Sequence, residues 1–156
     1  MPQVMPIEQQ CFVSAWTEAD FIHALRPRNC IGMVAEIDER VVGYMIYELH
    51  KCRFHLLNFA VHSEFRRQGV GSVMIQKLVG KLSYQRRHLI LLECSDRNLV
   101  SQLFFRSLGF KATSVLRDFY DNDEGMADAY LMQYRHKPTG DELFPTRSLN
   151  YGVMGS

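Results

Sequence analysis

No Cys-x-x-Cys pair occurs in this chain, although it carries four cysteines, Cys11, Cys30, Cys52 and Cys94. That absence argues against a zinc ribbon or a redox pair, and the wide spacing favours isolated buried thiols in a reducing compartment. The six histidines show no His-Glu-x-x-His or other close ligand spacing, so no metal is expected. No apolar run approaches the ~20 residues of a membrane span. The opening Met1-Pro2-Gln3-Val4-Met5 lacks the basic-then-apolar build of a secretory signal. Charge of one sign is also scarce. A formal net charge of +1 supplies no global pull toward nucleic acid or an anionic membrane. Repeats and low-complexity tracts are absent. What remains is a chain of 156 residues with 47% apolar and 22% charged content, the composition of one globular domain with a real core. A cytoplasmic protein is the expectation.

The periodicity orders the elements. Val4, Ile7 and Glu8 share a weakly helical face, and the loop Cys11 to Trp16 follows. Thr17 with Asp20 has the form of a helix N-cap before Phe21, Ile22 and Leu25, and Pro27 stops that helix. Ile31 to Ile37 and Val41 to Leu49 read as strands around the turn Asp38-Glu39-Arg40, and Phe54 to Val61 as a central strand. From Val70 the period changes: Val70, Val73, Met74, Leu78 and Leu82 form one helical face. Leu89 to Cys94 is a short strand. Ser95 or Asp96 is placed to cap a helix from about Asn98 to Leu108, which Gly109 ends so that Phe110 packs back on it. Lys111 to Tyr120 and Asp128 to Tyr134 are two more strands. The expected class is a mixed α/β (α+β) sheet, mostly antiparallel, with one parallel crossover. Residues 1–136 read as the domain and 137–156 as a poorly ordered tail.

The stretch Arg66-Arg67-Gln68-Gly69-Val70-Gly71-Ser72 joins the central strand to the long helix. Two glycines there permit a tight turn and leave amide N–H groups uncovered at a helix N-terminus, where the dipole favours negative charge. Such a loop suits a phosphate, although the glycines alone fit a plain strand-to-helix turn equally well. The Gly-Lys-Ser/Thr ending of phosphoryl-transfer loops is missing.

Arg66, Gly69 and Gly71 spell Arg-x-x-Gly-x-Gly. With Leu57-Asn58-Phe59-Ala60-Val61 before them, and Asn98 followed by Phe104-Phe105-Arg106-Ser107-Leu108-Gly109-Phe110 after them, the pattern resembles the GNAT N-acetyltransferases over roughly residues 5 to 135. Within that superfamily it is most similar to the ribosomal-protein alanine N-acetyltransferases. The carrying residues are Ile7-Glu8-Gln9-Gln10, Trp16-Thr17-Glu18, Leu92-Glu93, Arg117-Asp118-Phe119-Tyr120 and Ala127-Asp128-Ala129.

The resemblance implies a GNAT fold and direct acetyl transfer from acetyl-CoA to a protein N-terminal α-amine, such as that of a ribosomal protein. Lysine, polyamine or small-molecule amines stand as alternative acceptors, and a non-catalytic CoA-binding module as a further alternative. It places Arg66, Arg67, Gln68, Gly69, Val70, Gly71 and Ser72 on the pyrophosphate, and Phe59, Ala60 and Val61 on the acetyl group through main-chain N–H. The Asn98 side chain would hydrogen-bond the pantetheine or the diphosphate region. Glu93 is the implied general base; its local pattern alone also fits a solvated strand end. Trp16 and Tyr120 would line the acceptor groove, to which loop 13–16 and the acidic run Asp121 to Glu124 contribute. Two departures stand out. The tyrosine that serves the family as proton donor to the leaving thiolate is Phe105 here, and Phe119 replaces a second tyrosine. The family's first edge strand, expected upstream of Ile7, is either absent, which would expose a sheet edge, or lies before the start of this sequence. The protein is expected to be a monomer or weak homodimer, with neither nucleic acid nor membrane as a partner.

Overall fold

The strand-like runs of the sequence become six strands of one sheet in the computed structural model, which describes residues 1–12, 14–122 and 125–140. The strands are β1 (Cys30–Ile37), β2 (Arg40–Leu49), β3 (Arg53–Val61), β4 (Leu89–Ser95), β5 (Lys111–Asn122) and β6 (Gly125–Arg135). Their spatial order is β1-β2-β3-β4-β6-β5. Of the neighbouring pairs only β3 and β4 are parallel, because a helical crossover joins them; the helix after β4 likewise leads to a strand of the same direction, β5, but β6 lies between the two. The helices are α1 (Val4–Cys11), α2 (Glu18–Leu25), α3 (Val70–Val79) and α4 (Leu99–Ser107). None of the described helices is long and apolar enough to cross a membrane. Residue 13, residues 123–124 and residues 141–156 lie outside the described residues. They include Asp123 and Glu124 of the acidic run and most of the predicted tail.

Two apolar clusters sandwich the sheet. Ile75 and Leu78 of α3 and Phe105 of α4 pack with Phe54, Leu56, Ile90 and Leu92 on one face. Val4 and Ile7 of α1 and Phe21 of α2 pack with Tyr44, Ile46 and Ala60 on the other. The helix ends follow their sequence signals. Thr17 Oγ1 accepts from Asp20 N–H and Asp20 Oδ2 accepts from Thr17 N–H, a reciprocal capping box. Gly109 stands at φ 98°, and Phe110 N–H and Gly109 N–H donate to Phe105 O and Arg106 O, the two bonds of a Schellman close.

Four expectations need correction. Asn98, not Ser95 or Asp96, caps α4: its Oδ1 accepts from Ser101 N–H at 3.1 Å. The helix after Val70 ends at Val79 rather than Leu82, although Leu82 stays in the core. Val73 is 55% exposed, and Ile75 takes its place on the buried face, because the face turned to the sheet is set by packing and not by the period alone. Cys52 is exposed; it lies on the turn between two strands, outside the reach of either cluster.

A one-residue irregularity in β3 shapes everything near the site. Tyr47 pairs with Leu56 but Ile46 pairs with Asn58, so Leu57 is an extra residue. A bulge of this kind reverses the facing of the side chains beyond it. Phe54 and Leu56 therefore enter the α3/α4 core, whereas Ala60 enters the α1/α2 core and Asn58 meets α1. There Asn58 Nδ2 donates to Glu8 Oε2 at 3.0 Å. Glu8 is 1% exposed. Its carboxylate also accepts from Trp16 N–H at 2.8 Å and from the Tyr44 hydroxyl.

Replacing Glu8 by alanine leaves those donors without an acceptor. At about 1 kcal/mol or more for each stranded group, Glu8→Ala is expected to cost about 3 kcal/mol in denaturant unfolding. Burial raises the Glu8 pKa above its ordinary 4.5, against the opposing pull of Trp16 N–H and Asn58. The associated stability is complete below that ordinary value and is lost as pH rises through the raised native one. Glu8→Gln should therefore flatten the decline of stability above pH 4.5. An unchanged slope would show that Glu8 titrates normally.

Candidate active site

Strands β3 and β4 pair from Arg53↔Leu89 to Leu56↔Leu92 and then part. Each continues, β3 to Val61 and β4 to Ser95, so a cleft opens between their C-terminal halves. A cavity of about 450 Å³ occupies it. Leu57, Asn58 and Phe59 form one wall and Glu93, Cys94 and Ser95 the other; Trp16 and Glu8 lie on one side, Asn98 and Phe105 on the other. Of the residues singled out from sequence, Phe59, Glu93, Asn98 and Trp16 thus meet around one space. Ala60 and Val61 instead belong to the two cores. Tyr120 pairs with Ala127 on the β5/β6 hairpin. That hairpin is offset by a ladder irregularity between Leu116 and Tyr120, where Asp118 N–H donates to Asp128 Oδ1 at 2.9 Å.

The main chain supplies the polar groups of the β3 wall. Phe59 N–H donates to Asn58 Oδ1 at 2.9 Å, and a carbonyl oxygen bound in the cleft would compete with Asn58 for that donor. Glu93 faces a partner absent from the sequence reading: His55 Nε2 lies 2.8 Å from both carboxylate oxygens. His55 Nδ1 lies 3.3 Å from Glu48 Oε1. The hydrogen bond from Glu93 raises the His55 pKa above its usual value, and burial opposes it. The register Glu48↔His55 and His55↔Leu91 aligns these side chains across three strands; linear separations of 7 and 38 positions give no hint of it. Cys94, also on the wall, has its thiol pushed up to about 11 by burial. It is protonated at neutral pH and unsuited to an acyl-carrying role.

The glycine-rich loop lies at the N-terminus of α3. Arg67 and Gly69 hold left-handed backbone angles, φ 62° and 82°, and such residues in a turn direct successive N–H groups to one concave side. The first bond of the helical ladder there is Val73 N–H to Gly69 O, so the amides of Val70, Gly71 and Ser72 precede it. A Cβ on Gly71 would sit 3.2 Å from the Phe104 ring and 3.3 Å from the Phe59 ring. Gly71 therefore admits the close approach of α3 to the cleft. Two side chains of the loop point elsewhere. Arg66 donates to Val61 O at 3.2 Å and reaches Cys11 Sγ at 2.9 Å, and Gln68 Nε2 donates to Glu64 O at 3.1 Å. Asn98 Oδ1 is committed to its cap. Phe105 is 5% exposed and stacks among Phe59, Phe104 and Phe110.

A parted parallel pair at the centre of a mixed sheet, with a glycine-rich helix start beside the gap, defines an acyltransferase scaffold. The profile of the Acetyltransferase (GNAT) family matches residues 1–110, and the chain belongs to that family. It is similar to the [ribosomal protein bS18]-alanine N-acetyltransferase of Salmonella typhimurium, 26% identical over 132 residues, covering 85% of this chain and 88% of that protein. It is likewise similar to an N-alpha-acetyltransferase of Sulfurisphaera tokodaii, 26% identical over 143 residues, with 83% and 84% covered. Among solved structures, the Escherichia coli ribosomal-protein-S18-alanine N-acetyltransferase superposes with a TM-score of 0.79 at 23% identity, covering 92% of both chains. Arabidopsis thaliana Naa50, solved with the bisubstrate analogue CoA-Ac-MVNAL, superposes at 0.72 and 20% identity, covering 85% and 90%. The protein is an acetyltransferase, and GNAT acetyltransferases take their acetyl group from acetyl-CoA.

The loop suits the anionic part of that donor: Gly69 is left-handed, the amides of Val70, Gly71 and Ser72 precede the helical ladder, and Gly71 leaves room only for the Phe104 and Phe59 rings beside it. Gly69→Ala places a side chain at φ 82°, a strain of about 1–2 kcal/mol. It should weaken acetyl-CoA binding about tenfold in calorimetry. Gly71→Val should weaken it further. Unaltered affinity in both variants would remove the loop from the binding site.

Proposed function

We propose that the protein acetylates the N-terminal α-amine of a protein chain by direct transfer, an alanine-starting ribosomal protein being the model acceptor. Two of its relatives bear names for protein N-terminal acetylation. The observation that carries the reading is the placement of Glu93 on the β4 wall of a cleft that Phe59 and Trp16 also line.

Acetyl-CoA, when bound, supplies the acetyl group as a thioester. An α-amine with pKa ~7.7–8.0 is part protonated at neutral pH, so a base beside the cleft is needed. Glu93 accepts the amine proton, directly or through one water, as the new N–C bond forms. Phe59 N–H donates to the acetyl oxygen as negative charge gathers there and the C–S bond breaks. The sulfur leaves with the electron pair and takes a proton from solvent. His55 Nε2, 2.8 Å from both carboxylate oxygens, holds the base in place, and that hydrogen bond raises the His55 pKa. Phe105 has no proton to give, and a thiol of pKa about 8.5 is acidic enough to leave unassisted.

A mass-spectrometric screen of N-terminal peptides tests the reading. Alanine-starting peptides should be acetylated, and their N-blocked, lysine-containing versions should not. Glu93→Gln should lower kcat about a hundredfold or more while leaving acetyl-CoA affinity unchanged. Lysine acetylation of the blocked peptides would move the acceptor to a side-chain amine, and full activity in Glu93→Gln would remove it as the base.

A second variant probes the leaving group. Phe105 lines the cavity, so Phe105→Tyr brings a hydroxyl to its wall. Turnover is expected to rise about tenfold, less than a usual general-acid contribution because the thiolate already leaves readily. A rate that stays level or falls, with the melting temperature preserved, would show that departure of the thiolate does not limit the reaction.

A further inference from the structure

We propose that Glu48, His50 and His55 form a binding site for one divalent transition-metal ion, of which zinc is the best match. The three side chains converge although they come from two strands and a turn. Glu48 Oε1 is 3.2 Å from His50 Nε2 and 3.3 Å from His55 Nδ1. One ligand atom from each residue falls within 4.8 Å of the others. Ligands at ~2.0–2.1 Å from a tetrahedral zinc lie about 3.4 Å apart, so the Glu48 contacts already have the spacing of a coordination edge.

Two imidazoles and one carboxylate select zinc, nickel or cobalt over calcium or magnesium, which favour all-oxygen shells. The side chains are part-buried, at 29% exposure for Glu48, 35% for His50 and 25% for His55. The site is thus held by the fold yet reachable by solvent, which would fill a fourth position. Its backbone is pinned. His50 N–H donates to Arg53 O at 2.9 Å, and Arg87 Nε donates to His50 O at 2.6 Å. Arg87 also lies over the Phe54 ring.

The outer shell is what separates this arrangement from an ordinary surface cluster. A metal-bound histidine characteristically gives its other ring N–H to a carboxylate, which fixes tautomer and orientation. His55 Nε2 meets both oxygens of Glu93 at 2.8 Å, leaving Nδ1 directed at Glu48. Without a cation, one imidazole is shared between two carboxylates. A metal ion on Nδ1 satisfies Glu48 and leaves the Nε2–H for Glu93. On the reading of Glu93 as base, an ion here adds positive charge one imidazole away and slows acetyl transfer.

The test is a zinc titration of the whole chain, without acetyl-CoA, against a competing chelator of known affinity. Binding of one ion per chain is expected. His50→Ala and Glu48→Gln should each weaken it about tenfold or more, with folding checked by melting. The exposed thiol of Cys52 is the adventitious alternative, so Cys52→Ser should leave affinity unchanged. No saturable binding, equal binding in His50→Ala, or loss in Cys52→Ser would each overturn the site. Because the readout is binding, it stands or falls apart from the identity of the base; chelator-reversible slowing of acetyl transfer is the separate measure of coupling to Glu93.

Discussion

The parting of two parallel strands is the constraint on which the rest of this molecule depends. After Leu56 and Leu92 the backbones of β3 and β4 no longer satisfy one another, and buried main-chain groups left in that condition demand other partners. The structure answers locally. Asn58 turns its carbonyl oxygen onto Phe59 N–H, its amide is anchored by Glu8, and Glu8 in turn holds Trp16 N–H and the Tyr44 hydroxyl. One carboxylate therefore ties α1, the Trp16 loop, β2 and β3 together at the mouth of the cleft. The bulge at Leu57 makes this possible, since without it Asn58 would face the apolar core beneath α3 and α4.

Three carboxylates share the α1/α2 side of the sheet, and their surroundings divide their work. Glu8 is sealed and surrounded by hydrogen-bond donors, so it serves as a structural acceptor. Glu48 and Glu93 sit on either side of His55, whose pKa the Glu93 hydrogen bond raises while burial opposes it. Of these three, Glu8 and Glu93 line the cleft, and of those two it is Glu93 that meets an imidazole, which links it on to Glu48. With Glu93 as the proposed base, such a site would separate positioning from proton transfer by environment rather than by residue type.

Much of this was legible in the residues. Apolar runs, helical spacing, caps and breakers located the six strands and the four α-helices, because these signals are local; the short 3-10 turn Ser63–Phe65 was not among them. The capping box at Thr17 and the Gly109 stop were legible for the same reason. Three kinds of feature were not. The solvent-facing position of Val73 depends on which face of α3 the sheet takes up. The capping role of Asn98 competes with Ser95 and Asp96, which are equally good caps in isolation. The Glu48–His55–Glu93 alignment arises only from strand register. Glu8 and Asn58 stood in the sequence as marks of resemblance with no role attached; a buried polar pair shows itself only when the bulge that brings it together is seen.

The two ends of the cleft are coupled through aromatic packing. Gly71 lets α3 close to the Phe59 and Phe104 rings, Phe104 meets Phe105, and Phe105 meets Phe110 at the end of α4. The glycine-rich start of α3 and the β3 wall of the cleft are thereby fixed relative to one another by side chains that carry no charge. This explains how the position of the usual tyrosine can be phenylalanine without loss of architecture: Phe105 serves first as the link between helix and sheet, and a hydroxyl there would be an addition to a packing role and not a replacement for it. The leaving group of the reaction is the participant best able to depart without help, so this is the position where the family's chemistry is least dependent on the side chain.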